Sequence, residues 1–218
     1  LTAGMTEFVV MSVLYHHRFM LDYLAQQRGH VWREIEQVPP ANRRVGIMGL
    51  GVLGADAAGK LAPFGLDIAG WSRTPKELPG VTSFHGDDGF IPFLKRTDIL
   101  VCLLPLTNET TGILDARAFA ALPRGAALIS VGRGPHVAEA DLLAALDSGQ
   151  LGGATLDVFR DEPLPPESPF WDHPRVVLTP HVASMTIAQS ACEMIIDNIH
   201  RHKAGGPLLH VVDMARGY

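Results

Sequence analysis

The chain has 218 residues, of which 47% are hydrophobic and 19% are charged, and its formal net charge is −5. This length suits one good-sized domain, or one domain with an appendage, and supplies enough apolar material for a full core. The acidic balance argues against nucleic acid or an anionic membrane as the partner of the whole chain. Two cysteines, Cys102 and Cys192, do not make a disulfide framework and favour a reducing, cytoplasmic location.

The N-terminal segment is predicted to form one long helix from Thr6 to Arg28, because no Gly or Pro lies within it. Its apolar positions are too broad for a single stripe, so either its own domain or a second subunit should cover more than one face. His16 and Asp22 are among the polar residues that disfavour a membrane span here. The N-terminus also lacks the basic region and small-residue cleavage site of a secretory signal.

After the turn-rich segment PPANRR (39–44), short apolar runs alternate with helical patterns. We expect strands at 45–50, 66–71, 81–84, 99–104, 126–131, 154–158 and 176–178. Helices are expected at 53–64, 88–95, 115–122, 138–148 and 186–202, with Asp115 as the N-cap of the third. Strands that are apolar throughout and alternate with helices are typical of the α/β class, as a doubly wound parallel sheet of the Rossmann type.

The segment VGIMGLGVLG contains the pattern G-x-G-x-x-G at Gly49, Gly51 and Gly54. It follows a predicted strand and opens a predicted helix, which is the context that dinucleotide-binding turns require. Gly49 would permit the tight turn, Gly51 the close approach of a pyrophosphate, and Gly54 the packing of helix on strand. The alternative is a tight turn without a ligand.

The segment GWSRT lies about 20 positions beyond this turn, where an acidic residue would bind the ribose 2′-hydroxyl of NAD. Ser72 and Arg73 stand there instead. A carboxylate would repel a 2′-phosphate, whereas Ser72 can donate a hydrogen bond to it and Arg73 can clamp it, with Lys76 adding a charge. We therefore expect NADP(H); NAD bound through Ser72, with a solvated Arg73, is the alternative.

Three further segments, LISVGRGPHV, GATLDVFRDEPLP and VVLTPHVAS, place polar residues after apolar strands. The ligand crevice of an open α/β sheet lies at the carboxyl ends of its strands. Arg133, Asp157, Glu162 and His181 could therefore converge although they are distant in sequence. Each alone is open to a structural interpretation, since the chain has ten histidines and many loop charges.

Taken together, these motifs resemble the D-isomer-specific 2-hydroxyacid dehydrogenases, and within them the glyoxylate/hydroxypyruvate reductases, over nearly the whole chain to VVDMARGY. The resemblance implies that Arg133 binds the substrate carboxylate and carbonyl, that Glu162 orients His181, and that His181 is the acid/base. It places Asp157 near the nicotinamide carboxamide. The cofactor site it implies comprises Gly49, Gly51, Val52, Leu53, Gly54, Ser72, Arg73, Thr74, Lys76, Leu104, Pro105, Leu106, Val131, Gly132, Asp157 and Ser184. No metal ligand is assigned.

The implied activity is NADPH-dependent reduction of a small 2-oxoacid to the D-2-hydroxyacid by a homodimer whose dimerisation arm is the first helix. The alternatives are an NAD-linked phosphoglycerate or lactate dehydrogenase, and a nucleotide-sensing module like the corepressors of the same family. We divide the chain into a helical arm (1–41), an NADP-binding domain (42–185) and a C-terminal helix and tail (186–218).

Members of this family also carry a substrate domain that precedes the cofactor domain. This sequence starts at the helix that leads into the cofactor domain, so we expect the tail to pack against a substrate domain that lies mostly outside it. Such a fragment would bind NADPH and turn over poorly. The sequence does not rank glyoxylate against hydroxypyruvate.

Overall fold

Short apolar segments form seven strands of one parallel sheet in the computed structural model, which describes residues 2–185 and 188–211. The strands are β1 (Arg44–Met48), β2 (Asp67–Ser72), β3 (Val81–His85), β4 (Ile99–Cys102), β5 (Ala126–Ser130), β6 (Leu151–Leu156) and β7 (Val176–Leu178). Their order is β3-β2-β1-β4-β5-β6-β7, and every pair is parallel. The predicted α/β doubly wound fold is confirmed.

Helices cover both faces of the sheet because successive strand residues point to opposite sides. The α-helices of the described residues are α1 (Thr2–His17), α2 (Met20–Arg28), α3 (Val52–Leu61), α4 (Gly86–Lys95), α5 (Ala116–Ala121), α6 (Glu139–Asp147) and α7 (Ala188–Lys203). On one face, Val9 and Val13 of α1 and Leu61 of α3 pack with β1, β4 and β5. On the other, Phe93 of α4 and Phe119 of α5 belong to a second buried cluster.

The strand order reverses at β1, because β2 and β3 lie on one side of this strand and β4 to β7 lie on the other. The loops at the carboxyl ends of neighbouring strands separate at such a point and leave a crevice. The glycine turn follows β1 and the segment from Leu103 follows β4, so both border this crevice. The topology therefore fixes where a dinucleotide would lie.

The predicted single N-terminal helix is wrong, because α1 ends at His17 and α2 begins at Met20. Phe19 lies between them with φ 56° and ψ 36°, in the left-handed region, and this conformation cannot continue an α-helix. The guanidinium of Arg43 lies 5.4 Å from the centre of the Phe19 ring and helps to hold it. The α1 helix packs mainly on its own domain, against α3.

Other boundaries differ by a few residues. The strands predicted at 45–50 and 99–104 end at Met48 and Cys102, and the helix predicted at 53–64 ends at Leu61 before a short 3₁₀ turn. Asp115 is confirmed as an N-cap, since its carboxylate accepts a hydrogen bond from the Ala118 N–H at 2.9 Å.

Residues 186–187 of the predicted last helix and 212–218 of the tail lie outside the described residues. No helix in the described ranges is both long and apolar enough to cross a membrane.

Candidate active site

The three glycines of the turn between β1 and α3 differ in what surrounds them. Gly49 has φ +97°, and a Cβ there would also meet the Leu103 carbonyl oxygen at 2.8 Å. A Cβ on Gly54 would lie 1.9 Å from the Gly49 carbonyl oxygen, so α3 packs directly on the turn. A Cβ on Gly51 would meet nothing within 4 Å. The open side of the turn is thus at Gly51, where a phosphate could approach backbone N–H groups and the start of α3.

A cleft of about 1280 Å³ opens beside this turn, which is ample for a dinucleotide. Of the residues predicted to bind cofactor, its lining includes Gly49, Gly51, Val52, Leu53, Gly54, Ser72, Arg73, Thr74, Lys76, Leu104, Pro105, Leu106, Val131 and Gly132. Arg133 also lines it. Asp157, Glu162, His181 and Ser184 are not part of that described lining.

The corner of the cleft beyond β2 carries the positive charge. Arg73 and Lys76 are exposed there, while Ser72 is buried and its hydroxyl donates to the Thr74 carbonyl at 2.8 Å. Ser72 would have to rotate to donate to a phosphate. Glu109 lines the same cleft, and its pKa is lowered by a hydrogen bond from Thr107 and, further, by the charge of Arg73. Basic groups at this corner fit a 2′-phosphate better than a bare ribose.

His181 and Glu162 form a close pair beyond the ends of β7 and β6. The His181 Nδ1 lies 2.7 Å from a Glu162 carboxylate oxygen, and both side chains are partly exposed, at 46% and 35%. The other Glu162 oxygen accepts the Phe159 N–H at 2.9 Å. His181 itself has φ 55°, a strained conformation for a non-glycine residue. Strain of this kind persists only where neighbouring contacts hold the backbone.

The protonation state of Glu162 fixes the tautomer of His181. Burial by itself would raise the pKa of Glu162, but hydrogen bonds from His181 and the Phe159 N–H outweigh it and hold the pKa below its ordinary value. An ionised carboxylate can only accept, so the His181 Nδ1 carries a hydrogen. The Nε2 atom is then the ring position left for exchange of a proton with a ligand.

Arg133 follows β5 and connects the pair to the cleft. Its side chain is exposed, and one guanidinium nitrogen donates to the Gly132 carbonyl at 2.6 Å. Its charge is one of the influences that lower the pKa of Glu162. Arg133, Glu162 and His181 therefore lie near one another, on loops that follow β5, β6 and β7.

Asp157 lies behind this group and is only 1% exposed. Its carboxylate accepts hydrogen bonds from the Thr179 hydroxyl at 2.6 Å, the Val182 N–H at 2.8 Å and the Ala183 N–H at 2.9 Å. Its backbone carbonyl accepts the His181 N–H at 2.9 Å. These contacts hold the loop that carries His181, a function that the pattern L-D-V-F did not indicate.

His136 was not singled out from the sequence, yet it joins two segments that line the cleft. It is fully buried, and its ring lies between the Arg133 N–H and the Pro105 carbonyl. Its position two residues after the R-G pair was the available signal. With ten histidines in the chain, nothing local separated it from the others.

The match to a family model decides the relationship. The D-isomer-specific 2-hydroxyacid dehydrogenase NAD-binding domain matches residues 10–183. The chain belongs to this family. The stretch that matches contains the glycine turn, the basic corner, and Arg133, Glu162 and His181.

Relatives of the chain include a curated reductase and solved dehydrogenase structures. Glyoxylate/hydroxypyruvate reductase A of Yersinia enterocolitica is 45% identical over 214 residues, covering 98% of this chain and 68% of the relative. A D-isomer-specific 2-hydroxyacid dehydrogenase of Xanthobacter autotrophicus Py2, solved with NADPH and MES, has a TM-score of 0.97 at 48% identity, covering 100% of this chain and 90% of that one.

A third relative is the NADPH-dependent glyoxylate/hydroxypyruvate reductase of Sinorhizobium meliloti, solved with NADP and sulfate. It has a TM-score of 0.96 at 48% identity, and the match covers 100% of the present chain and 70% of the Sinorhizobium meliloti chain.

Proposed function

We propose that the protein reduces glyoxylate or hydroxypyruvate with NADPH, giving the 2-hydroxyacid, in the D configuration where the product is chiral. The observation that carries this is the His181–Glu162 contact of 2.7 Å, close to Arg133 at the mouth of the dinucleotide cleft. The reductase relatives, at 45% and 48% identity, support the same reaction.

NADPH is the cofactor that the cleft fits. Open space at Gly51 accommodates a phosphate against the start of α3, and Arg73 and Lys76 provide the charge for a 2′-phosphate. The related structures with NADPH or NADP support this choice. We include Val52, Leu53, Thr74, Leu104, Pro105, Leu106, Val131, Gly132, Asp157 and Ser184 in the cofactor site as predicted, with Asp157 acting through the loop it holds.

When bound, NADPH would supply a hydride to the carbonyl carbon of the 2-oxoacid, and the protein orients the reactants and provides the charged groups. One guanidinium nitrogen of Arg133 donates to the Gly132 carbonyl. The other guanidinium N–H groups can hold the substrate carboxylate and the developing oxyanion. His181 donates a proton from Nε2 to the carbonyl oxygen, while Glu162 keeps the ring oriented through Nδ1.

Replacement of the proposed acid tests this function. His181→Asn should lower kcat for glyoxylate and hydroxypyruvate by about 100-fold or more, because proton transfer contributes that much to such reactions. The dissociation constant for NADPH, measured by fluorescence titration, should change little. His202→Asn, at an exposed position on α7, is the matched control. Near-normal turnover by the His181 variant would overturn the assignment.

Arg73 is the residue to change for cofactor preference. Arg73→Ala should weaken NADPH binding about tenfold or more by removing a charged contact to the 2′-phosphate, while NADH binding stays the same. Titration of both nucleotides against wild type and variant checks this. An equal loss for the two nucleotides would contradict it.

We further propose a homodimer in which the segment after α2 is part of the interface. Trp32 is 99% exposed and Val31 51% exposed, in a stretch of chain without helix or strand. Large aromatic side chains so exposed are typical of interfaces. Trp32→Ser should shift the protein from dimer to monomer in sedimentation velocity. A wild-type monomer, or a variant that remains a dimer, would exclude this interface.

The three-part division of the chain is also proposed, with 1–41 as arm, 42–185 as cofactor domain and 186–218 as C-terminal part. The sheet, which runs from Arg44 to Leu178, supports it. The packing of α1 on α3 ties the start of the arm to the cofactor domain. A cytoplasmic location is supported by the free thiols of Cys102 and Cys192.

A further inference from the structure

We propose that His136, as a neutral ring with its hydrogen on Nε2, is a positioning residue that fixes the backbone of Arg133 relative to the cofactor-lining segment at Pro105. The proposal rests on the proposed function in assigning Arg133 to the substrate. His136 is not among the described residues that line the cleft, so it would act through the residues on either side of its ring.

The two contacts of the ring allow one neutral tautomer. The Arg133 backbone N–H donates to Nδ1 at 3.1 Å, so Nδ1 must offer a lone pair. The Pro105 carbonyl lies 3.2 Å from Nε2 and can only accept, so Nε2 must carry the hydrogen. A second ring proton would face the Arg133 N–H. The site thus selects one protonation state as well as one orientation.

The ring also packs against the backbone between its two partners. A Cβ on Gly132 would lie 3.0 Å from the His136 Nδ1 and 3.1 Å from the Leu104 carbonyl oxygen. The loop after β5 and the segment after β4 are therefore in contact through the ring. Both line the cleft, so their separation sets how a substrate held by Arg133 meets a cofactor lying on Pro105.

The same turn reaches the His181–Glu162 pair. Gly134 lies so close to the Phe159 carbonyl that a Cβ would be 1.9 Å from its oxygen, and the Phe159 N–H donates to Glu162 at 2.9 Å. A shift of the turn at 133–136 would move Arg133 relative to this pair. His136 is thereby placed to hold three parts of the site in register.

The electrostatic surroundings agree with a neutral ring. Burial lowers the pKa of His136, and the nearby charge of Arg133 lowers it further, whereas the Pro105 carbonyl at Nε2 acts in the opposite direction. The ring is 0% exposed, so water does not compete for either nitrogen. A buried imidazole with a hydrogen bond at each ring nitrogen has a defined orientation that a simple core residue would not need.

Two substitutions separate the two contacts. Asn places an oxygen near the position of Nδ1, so His136→Asn keeps an acceptor for the Arg133 N–H and loses the bond to Pro105. Gln places an amide nitrogen near Nε2, so His136→Gln keeps the bond to Pro105 and leaves the Arg133 N–H unpaired. Leaving this buried donor unpaired should weaken substrate binding through Arg133 by about tenfold or more.

The expected result is a raised KM for glyoxylate in His136→Gln, by about tenfold, with a smaller rise in His136→Asn. The dissociation constant for NADPH should stay within about threefold in His136→Gln, since its cofactor-side bond is kept. A residue with only a structural role would lower Tm in both variants without separating the two KM values. Equal KM values in the variants would therefore overturn the proposal.

Nitrogen NMR of the His136 ring at neutral pH provides a second measurement that needs no turnover and no variant. It should show a bare Nδ1 and a protonated Nε2. A charged ring or the opposite tautomer would overturn the proposal even if the variants fail to fold. Absence of wild-type turnover with either 2-oxoacid would refute the proposed function instead, and the ring measurement would still stand.

Discussion

Gly51 and Gly54 are separated by two residues, yet an added methyl group should lower stability at Gly54 and weaken cofactor binding at Gly51. Gly54→Ala would drive a Cβ to 1.9 Å from the Gly49 carbonyl oxygen, so the turn or α3 must shift. We expect a loss of about 2 kcal/mol or more in the free energy of unfolding, as for other overpacked sites. Urea unfolding measures it.

Gly51→Ala should leave stability nearly unchanged, because a Cβ there meets nothing within 4 Å and the backbone at φ −77° suits alanine. The methyl group would instead occupy the space that a pyrophosphate approaches. NADPH binding should therefore weaken about tenfold or more in a titration. If Gly51→Ala bound NADPH normally, the turn would not be the phosphate site.

Among the elements, the loop from Thr179 to Ala183 depends on a single carboxylate that follows β6. Asp157 accepts three hydrogen bonds while only 1% exposed, and an amide could not accept at both of its positions. Asp157→Asn would turn N–H donors toward the N–H groups of Val182 or Ala183. We expect a loss of about 2 kcal/mol in stability and a lower kcat through displacement of His181.

Asp147→Asn is the control for this change. The Asp147 side chain is 74% exposed, and its hydrogen bond with the His173 ring is long, at 3.3 Å. Such a contact of an exposed carboxylate contributes little. The control should unfold like the wild type and retain its kcat, and a similar loss in both variants would show that the Asp157 contacts are not what holds the loop.

The elements divide into those that the local pattern determines and those that tertiary contacts determine. The buried strands β1, β4 and β5 were predictable because their apolar runs are bounded by turn residues. The break at Phe19 was not, since nothing local favours a left-handed Phe, and the Arg43 contact that accompanies it comes from beyond the helix. The strand β1 ends earlier than expected, where the glycine turn leaves the sheet.

At the scale of the whole molecule, parallel strand order explains why the candidate site could be predicted in outline. Residues after β5, β6 and β7 had to meet at one edge, and the structure brings Glu162 and His181 within 2.7 Å. Their catalytic roles remain predictions. The bridge from His136 to Pro105 spans 31 positions and depends on burial, which no local pattern reveals.

Stability of the whole molecule should depend on pH through His16, which joins α1 to the sheet. Its Nε2 lies 2.9 Å from the Thr155 hydroxyl in β6. Burial, and then the charge of Arg175, lower the pKa of His16 to about 4, with Asp22 acting in the opposite direction. In the unfolded chain the ring has its ordinary pKa of about 6.5.

The sign of the effect follows from which state binds the proton first. Between about pH 6.5 and pH 4 the unfolded state takes up a proton at His16 that the folded state does not, so the free energy of unfolding decreases as pH falls. His16→Gln can keep a hydrogen bond to Thr155 but cannot titrate. It should therefore lose less stability than the wild type over this range. His17 and His136 also have lowered pKa values, but they are present in both proteins and cancel in the comparison.

Urea unfolding of both proteins at about pH 7 and about pH 5 tests this, because most carboxylates stay ionised in that interval. The pKa of Glu162 is lowered, so its stabilising contact with His181 is lost only at more acidic pH. His202→Gln, at an exposed site on α7, should follow the wild type. If His16→Gln showed the same pH dependence as the wild type, His16 would not be the group that couples α1 packing to pH.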